Sequence, residues 1–196
     1  MMKFWKKYYS ALKRLRFMLV VACLLLPSFC QAYSGYDKLI KAYWSQYNPS
    51  VPWGLGWAQV KQESAFDCNA VSPVGAMGCA QFMPATWQDM IEAGVVPKDS
   101  TPFDTRYALE AQAYYMRTQF NGWQTKNRTF ESWVKLGFAG YNAGRGNLYK
   151  AQKVCDGGME YSQIMECLPS ITGRHAKETS GYVSKITEYF YRRFGV

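Results

Sequence analysis

From residue 37 to the C-terminus, apolar residues recur at intervals of three and four and almost nowhere at intervals of two. That period marks helices burying one face and leaves little room for sheet. Between 37 and 47, Leu39, Ile40, Tyr43, Trp44 and Tyr47 share one side. Ser50 and Pro52 suit the entry to a helix running to about Phe66, although Gln59, Lys61 and Gln62 interrupt its apolar stripe. Pro84 opens a further helix that Gly94 ends, and Asp104 to about Phe120 makes a long one with Ala108, Ala111, Tyr115 and Met116 inward. Segments 130–139, 146–154 and 178–194 repeat the pattern. Residues 67–83, rich in Gly, Ser, Pro and Asn, read as an ordered loop, and 155–174 also reads as loop. The expected fold is mainly α, a single helical domain with few or no strands.

The formal charge of +9 suggests a nucleic-acid partner until it is located. Residues 1–32 hold six basic residues and no acid, followed within that stretch by ten apolar residues from Phe17 to Leu26. Pro27 and Ser28 break the run, and Cys30-Gln31-Ala32 supplies small residues for a cut. Such a segment is a secretory leader, so 1–32 is expected to be a signal peptide and 33–196 the working domain. Two other fates stay open: Val20-Val21-Ala22-Cys23 fits a lipoprotein cut, and the long basic stretch suits an uncleaved membrane anchor. Residues 33–196 carry 17 bases against 14 acids, scattered, with no basic run interleaved with aromatics. The expectation is therefore an exported, periplasmic or wall-associated protein, monomeric, with no nucleic-acid partner.

Without the leader four cysteines remain: Cys68, Cys79, Cys155 and Cys167. An even count in an exported domain argues for two disulfides among three pairings, and the near-neighbour pairing, closing two short loops, is expected. Gaps of eleven and twelve positions are wrong for a cysteine zinc site, and the chain has one histidine, so no metal is expected.

Four short segments stand out together. They are Gln62-Glu63-Ser64-Ala65-Phe66, then Gly75-Ala-Met-Gly78-Cys-Ala-Gln81-Phe-Met83-Pro84, then Ala139-Gly140-Tyr141-Asn142-Ala143-Gly144, then Glu178-Thr-Ser-Gly-Tyr182-Val183. Glu-Ser, Gly-x-x-Gly-x-x-Gln-x-Met-Pro, Ala-Gly-Tyr-Asn-Ala-Gly and Glu-Thr-x-x-Tyr-Val, in that order, resemble the motif set of the soluble lytic transglycosylases, lysozyme-like enzymes that cleave peptidoglycan glycan strands. The resemblance runs from about Tyr33 to the C-terminus. It implies a lysozyme-like fold with a ligand cleft and no cofactor. It implies Glu63 as the sole catalytic acid and base, with Ser64 beside it orienting the site. It places Gln81 and Met83 on the cleft, Tyr141 and Asn142 next to the glutamate, and Glu178 and Tyr182 in the last motif. One departure stands out: where the family has Gly-Leu-Met-Gln, this chain has Gly78-Cys79-Ala80-Gln81, which suggests a disulfide stapling the loop beside Glu63. A secretion, conjugation or phage machine is a further partner class that such small enzymes serve.

The residues support this independently. Glycoside cleavage needs a carboxyl held neutral near pH 7 to protonate the leaving oxygen. A glutamate flanked by Trp57 and Phe66 can be desolvated into that state. Ordinary glycosidases add a second carboxylate, and the nearest in sequence, Asp67, falls where the helix is expected to end. Two rival readings remain: a goose-type lysozyme of the same fold, hydrolysing with a second acid, and a non-catalytic wall-binding protein. The plainer alternatives are core positions for Tyr141 and Tyr182, a helix-dipole role for Glu178 and a surface position for His175. Gly144-Arg145-Gly146 lacks the strand and Lys-Ser/Thr of a phosphate loop.

Overall fold

The computed structural model describes residues 35–195. The leader expected over 1–32 lies outside them. Contacts divide the chain into two compact units, Met1–Lys38 and Leu39–Val196. The first is described only over 35–38, within a helix α1 that covers 35–47. In the second unit follow α2 (Trp53–Ser64), α3 (Pro84–Glu92), α4 (Thr105–Trp123), α5 (Phe130–Ala143), α6 (Arg145–Val154), α7 (Tyr161–Thr172) and α8 (His175–Phe194). Among the described residues the only β pairing is two isolated bridges in the loop after α2, Val71 with Met77 and Met77 with Phe82. The fold is mainly α, as the apolar period predicts. No helix of the described residues is long and apolar enough to cross a membrane.

The core forms where glycine lets helices approach aromatic rings. Trp44 is fully buried, stacked on Phe138 at 6.5 Å between centroids and edge-on to Phe120 at 6.2 Å. A Cβ on Gly56 would lie 2.3 Å from the Trp44 ring, and one on Gly137 2.3 Å from Phe120. These two glycines therefore set how closely α2 approaches α1 and α5 approaches α4. The Trp44 indole is satisfied by donating to the Val51 carbonyl at 3.0 Å. α8 packs against α2 and α5 through Ala176, Thr179, Tyr182, Val183 and Ile186, a stripe at helical spacing.

Two differences from the sequence reading have physical causes. Residues 155–174 are not loop throughout: they contain α7, opened by a capping box in which the Glu160 backbone N–H donates to Gln163 Oε1 at 2.9 Å. Gly157-Gly158 and Pro169 disguise it. Pro169 sits in the last turns of α7, and only one upstream carbonyl loses its helical donor there. The second difference is the length of α5, which runs on to Ala143 instead of ending near Ala139. Gly140 does not break it, because the glycine makes room for Gln119, whose Oε1 would lie 2.7 Å from a Cβ there. Disulfides join Cys68 to Cys79 and Cys155 to Cys167, the second pinning the end of α6 to α7.

Candidate active site

Three helices converge on Glu63. It lies in the last turn of α2, which stops at once: Ala65 and Phe66 both take left-handed backbone, at φ 53° and 71°. Left-handed backbone is unfavourable for a bulky residue by about 1–2 kcal/mol. Phe66 is held there by burial against Trp57, ring centroids 5.2 Å apart. The abrupt stop turns the chain into the 67–83 loop and leaves Glu63 at the open end of its helix.

That loop forms one wall of the site. The Cys68–Cys79 disulfide closes its base. Gly78 turns at φ 74° with a Cβ position 1.8 Å from the Pro102 carbonyl oxygen, so only glycine fits. Gln81, also left-handed at φ 51°, donates its amide Nε2 to the Gly78 carbonyl at 3.0 Å. Ser64 Oγ donates to the Cys79 carbonyl and Tyr141 Oη to the Ala80 carbonyl, at 2.9 and 2.6 Å. The loop is thus tied to α2 and to α5.

Between loop and helices runs a cleft of about 520 Å³. It brings together Glu63, Gln81, Met83, Tyr141, Asn142, Glu178 and Tyr182, from positions up to 119 residues apart. Ser64 does not line it: its hydroxyl is turned to the loop backbone. Asp67 does not join Glu63 either. It is exposed, and its Oδ1 accepts from the Asn69 N–H at 3.0 Å. Asn142 Oδ1 accepts from Thr179 Oγ1 at 2.8 Å, which fastens the end of α5 to α8. Glu178, in the first turn of α8, sits on the rim 3.5 Å from exposed His175. Lys177 and Lys185, which the motifs did not single out, line the α8 wall on either side of Gly181.

Burial raises the Glu63 pKa from 4.5 to about 8, a rise that the hydrogen bond from Tyr182 Oη to Glu63 Oε1, 2.5 Å, only partly offsets. Tyr182 and Tyr141 are themselves pushed well above 10, by burial first and then by the Glu63 charge. Both phenols therefore stay protonated as donors, and Glu63 stays a neutral acid through pH 7. Behind Tyr182 lies a feature the motifs missed. Gln59 Nε2 donates to Tyr182 Oη at 3.0 Å, and Gln112 Nε2 donates to Gln59 Oε1 at 2.6 Å. Its trace in the sequence is the polar interruption of the α2 stripe at Gln59.

The profile of the Transglycosylase SLT domain family matches residues 40–160, and the chain belongs to that family. The match ends before α7, so Glu178 and Tyr182 lie outside it. The soluble lytic murein transglycosylase of Escherichia coli strain K12 is 29% identical over 165 residues, spanning 82% of this chain and 23% of its own length. The crystal structure of the 70 kDa soluble lytic transglycosylase from Escherichia coli superposes with a TM-score of 0.61 at 25% identity, over 79% of this chain and 24% of that one. A complex of the 70-kDa soluble lytic transglycosylase with bulgecin A gives 0.64 at 27% identity, over 81% and 24%. The chain spans about a quarter of the length of these relatives.

Proposed function

We propose that this chain is a peptidoglycan lytic transglycosylase cutting the β-1,4 bond after N-acetylmuramic acid, with Glu63 as its single acid and base. The observation that carries the reading is a carboxyl facing a cleft and gripped by a buried tyrosine, with its pKa raised by burial to about 8 so that it is mostly neutral at pH 7. Glu63 gives its proton to the leaving glycosidic oxygen as the C1–O bond breaks. The resulting carboxylate takes the proton of the muramoyl 6-hydroxyl as O6 bonds to C1. Glu63 is restored, no water is consumed, and the new end is a 1,6-anhydro sugar.

In the same proposal Gln81, Met83, Tyr141, Asn142, Glu178 and Tyr182 line the glycan site, while Ser64 acts through the loop. No cofactor takes part. Export to an oxidising compartment, where the wall lies, suits two disulfides and an N-terminal leader. Service to a secretion, conjugation or phage machine is the accompanying proposal for context.

Mass spectrometry of digested murein tests the reading. Anhydro ends, one water lighter than reducing ends, are expected. Reducing ends alone would overturn it in favour of a lysozyme-type hydrolase using the rim carboxylate Glu178. A protein that binds murein without cutting it would leave a wall-binding role.

A further inference from the structure

Glu63 has two carboxyl oxygens, and an acid is useful only if its proton sits on the one facing substrate. Oε1 is the oxygen that meets Tyr182 Oη. A phenol hydroxyl can also accept, so a neutral Glu63 has a competing arrangement in which Oε1 carries the proton and gives it to Tyr182. In that arrangement the acid points into the protein.

Two buried amides block it. Gln59 and Gln112 are 0% and 1% exposed, deep between α2, α4 and α8. Gln112 Nε2 lies 3.4 Å from the Gly56 carbonyl oxygen, which can only accept, so the nitrogen of Gln112 is the end that faces α2. The same nitrogen donates to Gln59 Oε1, which turns Gln59 Nε2 toward Tyr182 Oη. The Tyr182 oxygen is then occupied as an acceptor and its single proton goes to Glu63 Oε1. We infer that Gln112 and Gln59 are positioning residues: a one-way hydrogen-bond relay, anchored on the Gly56 carbonyl, that keeps Tyr182 a donor and the acid proton of Glu63 on Oε2.

The inference rests on Glu63 being the acid. The titratable groups lining the cleft around it are Tyr141 on α5 and Lys177, Glu178, Tyr182 and Lys185 on α8. Of these, Tyr182 is the one that Gln59 bonds, and Gln112 reaches it only through Gln59.

The test is Gln59→Met, which keeps the length and removes the donor, read by NMR titration of the Glu63 carboxyl and by kinetics on murein. Freed to accept, Tyr182 stabilises the neutral acid, so the Glu63 titration moves to higher pH. The kcat falls about tenfold, a fraction of the roughly 10²–10⁴-fold that positioned acid–base groups supply, while KM is unchanged because neither amide touches the cleft. Gln112→Met gives a smaller change in the same direction, and the double variant matches Gln59→Met alone because both act through one oxygen. Unchanged titration and kcat in a folded Gln59→Met would overturn the relay. Should that variant not fold, Gln112→Met carries the test. In the parent itself, slow exchange of the Gln59 amide protons with proximity to the Tyr182 hydroxyl is required, and its absence also overturns the relay. The NMR readings do not depend on turnover, so they separate failure of the relay from failure of the transglycosylase reading.

Discussion

The hydroxyl of Ser64 donates to the carbonyl oxygen of Cys79 at 2.9 Å, so the residue after Glu63 ties the end of its helix to the stapled loop. The bond makes Ser64 a structural clasp, while Gln81 and Met83 line the cleft and Ser64 does not. Ser64→Ala is expected to lower stability by about 1 kcal/mol, the usual net value of one hydrogen bond. With the loop less well held, KM should rise more than kcat falls. Thermal unfolding together with steady-state turnover checks this, and a variant crippled in kcat at constant KM would contradict it.

The two disulfides should behave differently. Each closes a short loop, of 11 and 12 residues in sequence separation, so removing either is expected to cost about 2–4 kcal/mol. Only Cys68–Cys79 holds the cleft wall. The pair Cys68→Ala and Cys79→Ala should lose activity beyond what its fall in stability explains, when assayed well below its own Tm. The pair Cys155→Ala and Cys167→Ala should retain near-parent activity at the same distance below its Tm.

Gly78 and Gly75 share left-handed backbone, at φ 74° and 85°, but not surroundings. A Cβ on Gly75 meets nothing within 4 Å, whereas one on Gly78 meets the Pro102 carbonyl oxygen at 1.8 Å. Gly75→Ala should cost about 1–2 kcal/mol, the left-handed penalty alone. Gly78→Ala must displace backbone as well and should cost several-fold more, with loss of turnover. Chemical denaturation of the two variants side by side is the check, and equal costs would refute it.

Glu63 makes stability depend on pH with a definite sign. The unfolded chain ionises it near 4.5 and the folded chain near 8, so between those values the folded state holds the extra proton. Stability from the neutral carboxyl is whole below about 4.5 and is lost as pH rises through about 8. Glu63→Gln removes that slope. Its Tm should draw ahead of the parent's between pH 5 and 9 while turnover disappears. The parent's kcat should fall above about pH 8 as the acid form is lost. A Tm difference that stays level across that range would contradict the raised pKa.

Much of the architecture was legible in local pattern. The stripes Leu39–Tyr47 and Tyr182–Phe190 announce helices because a 3.6-residue period can bury only one face. The positions of Gly75, Gly78 and Pro84 mark a turn-rich loop entering a helix. Helix α7 was hidden because Pro169 and the two glycines ahead of it outweighed the apolar spacing of Ile164, Leu168 and Ile171. What decided there was packing: Ile164 and Leu168 are wholly buried, and tertiary burial overrides local propensity. The partner of Ser64 was hidden for a similar reason, since a hydroxyl beside a glutamate does not reveal which carbonyl it will meet.

Four motifs in order single out Glu63 in the sequence, and the aromatics flanking it allow for desolvation. The hydrogen-bond partner that meets its carboxyl is not written there. A glutamate in a helix is an ordinary surface acid until Tyr182, 119 positions away, is folded over it and burial raises its pKa. Amino-acid order marked most of the helical segments, where the chain must turn and which residues are candidates to react. Tertiary structure alone decided which hydroxyl meets which carboxyl oxygen. Desolvation and hydrogen-bond direction depend on three-dimensional neighbours, and Gln59, Gln112 and Tyr182 become neighbours of one another only when α2, α4 and α8 pack.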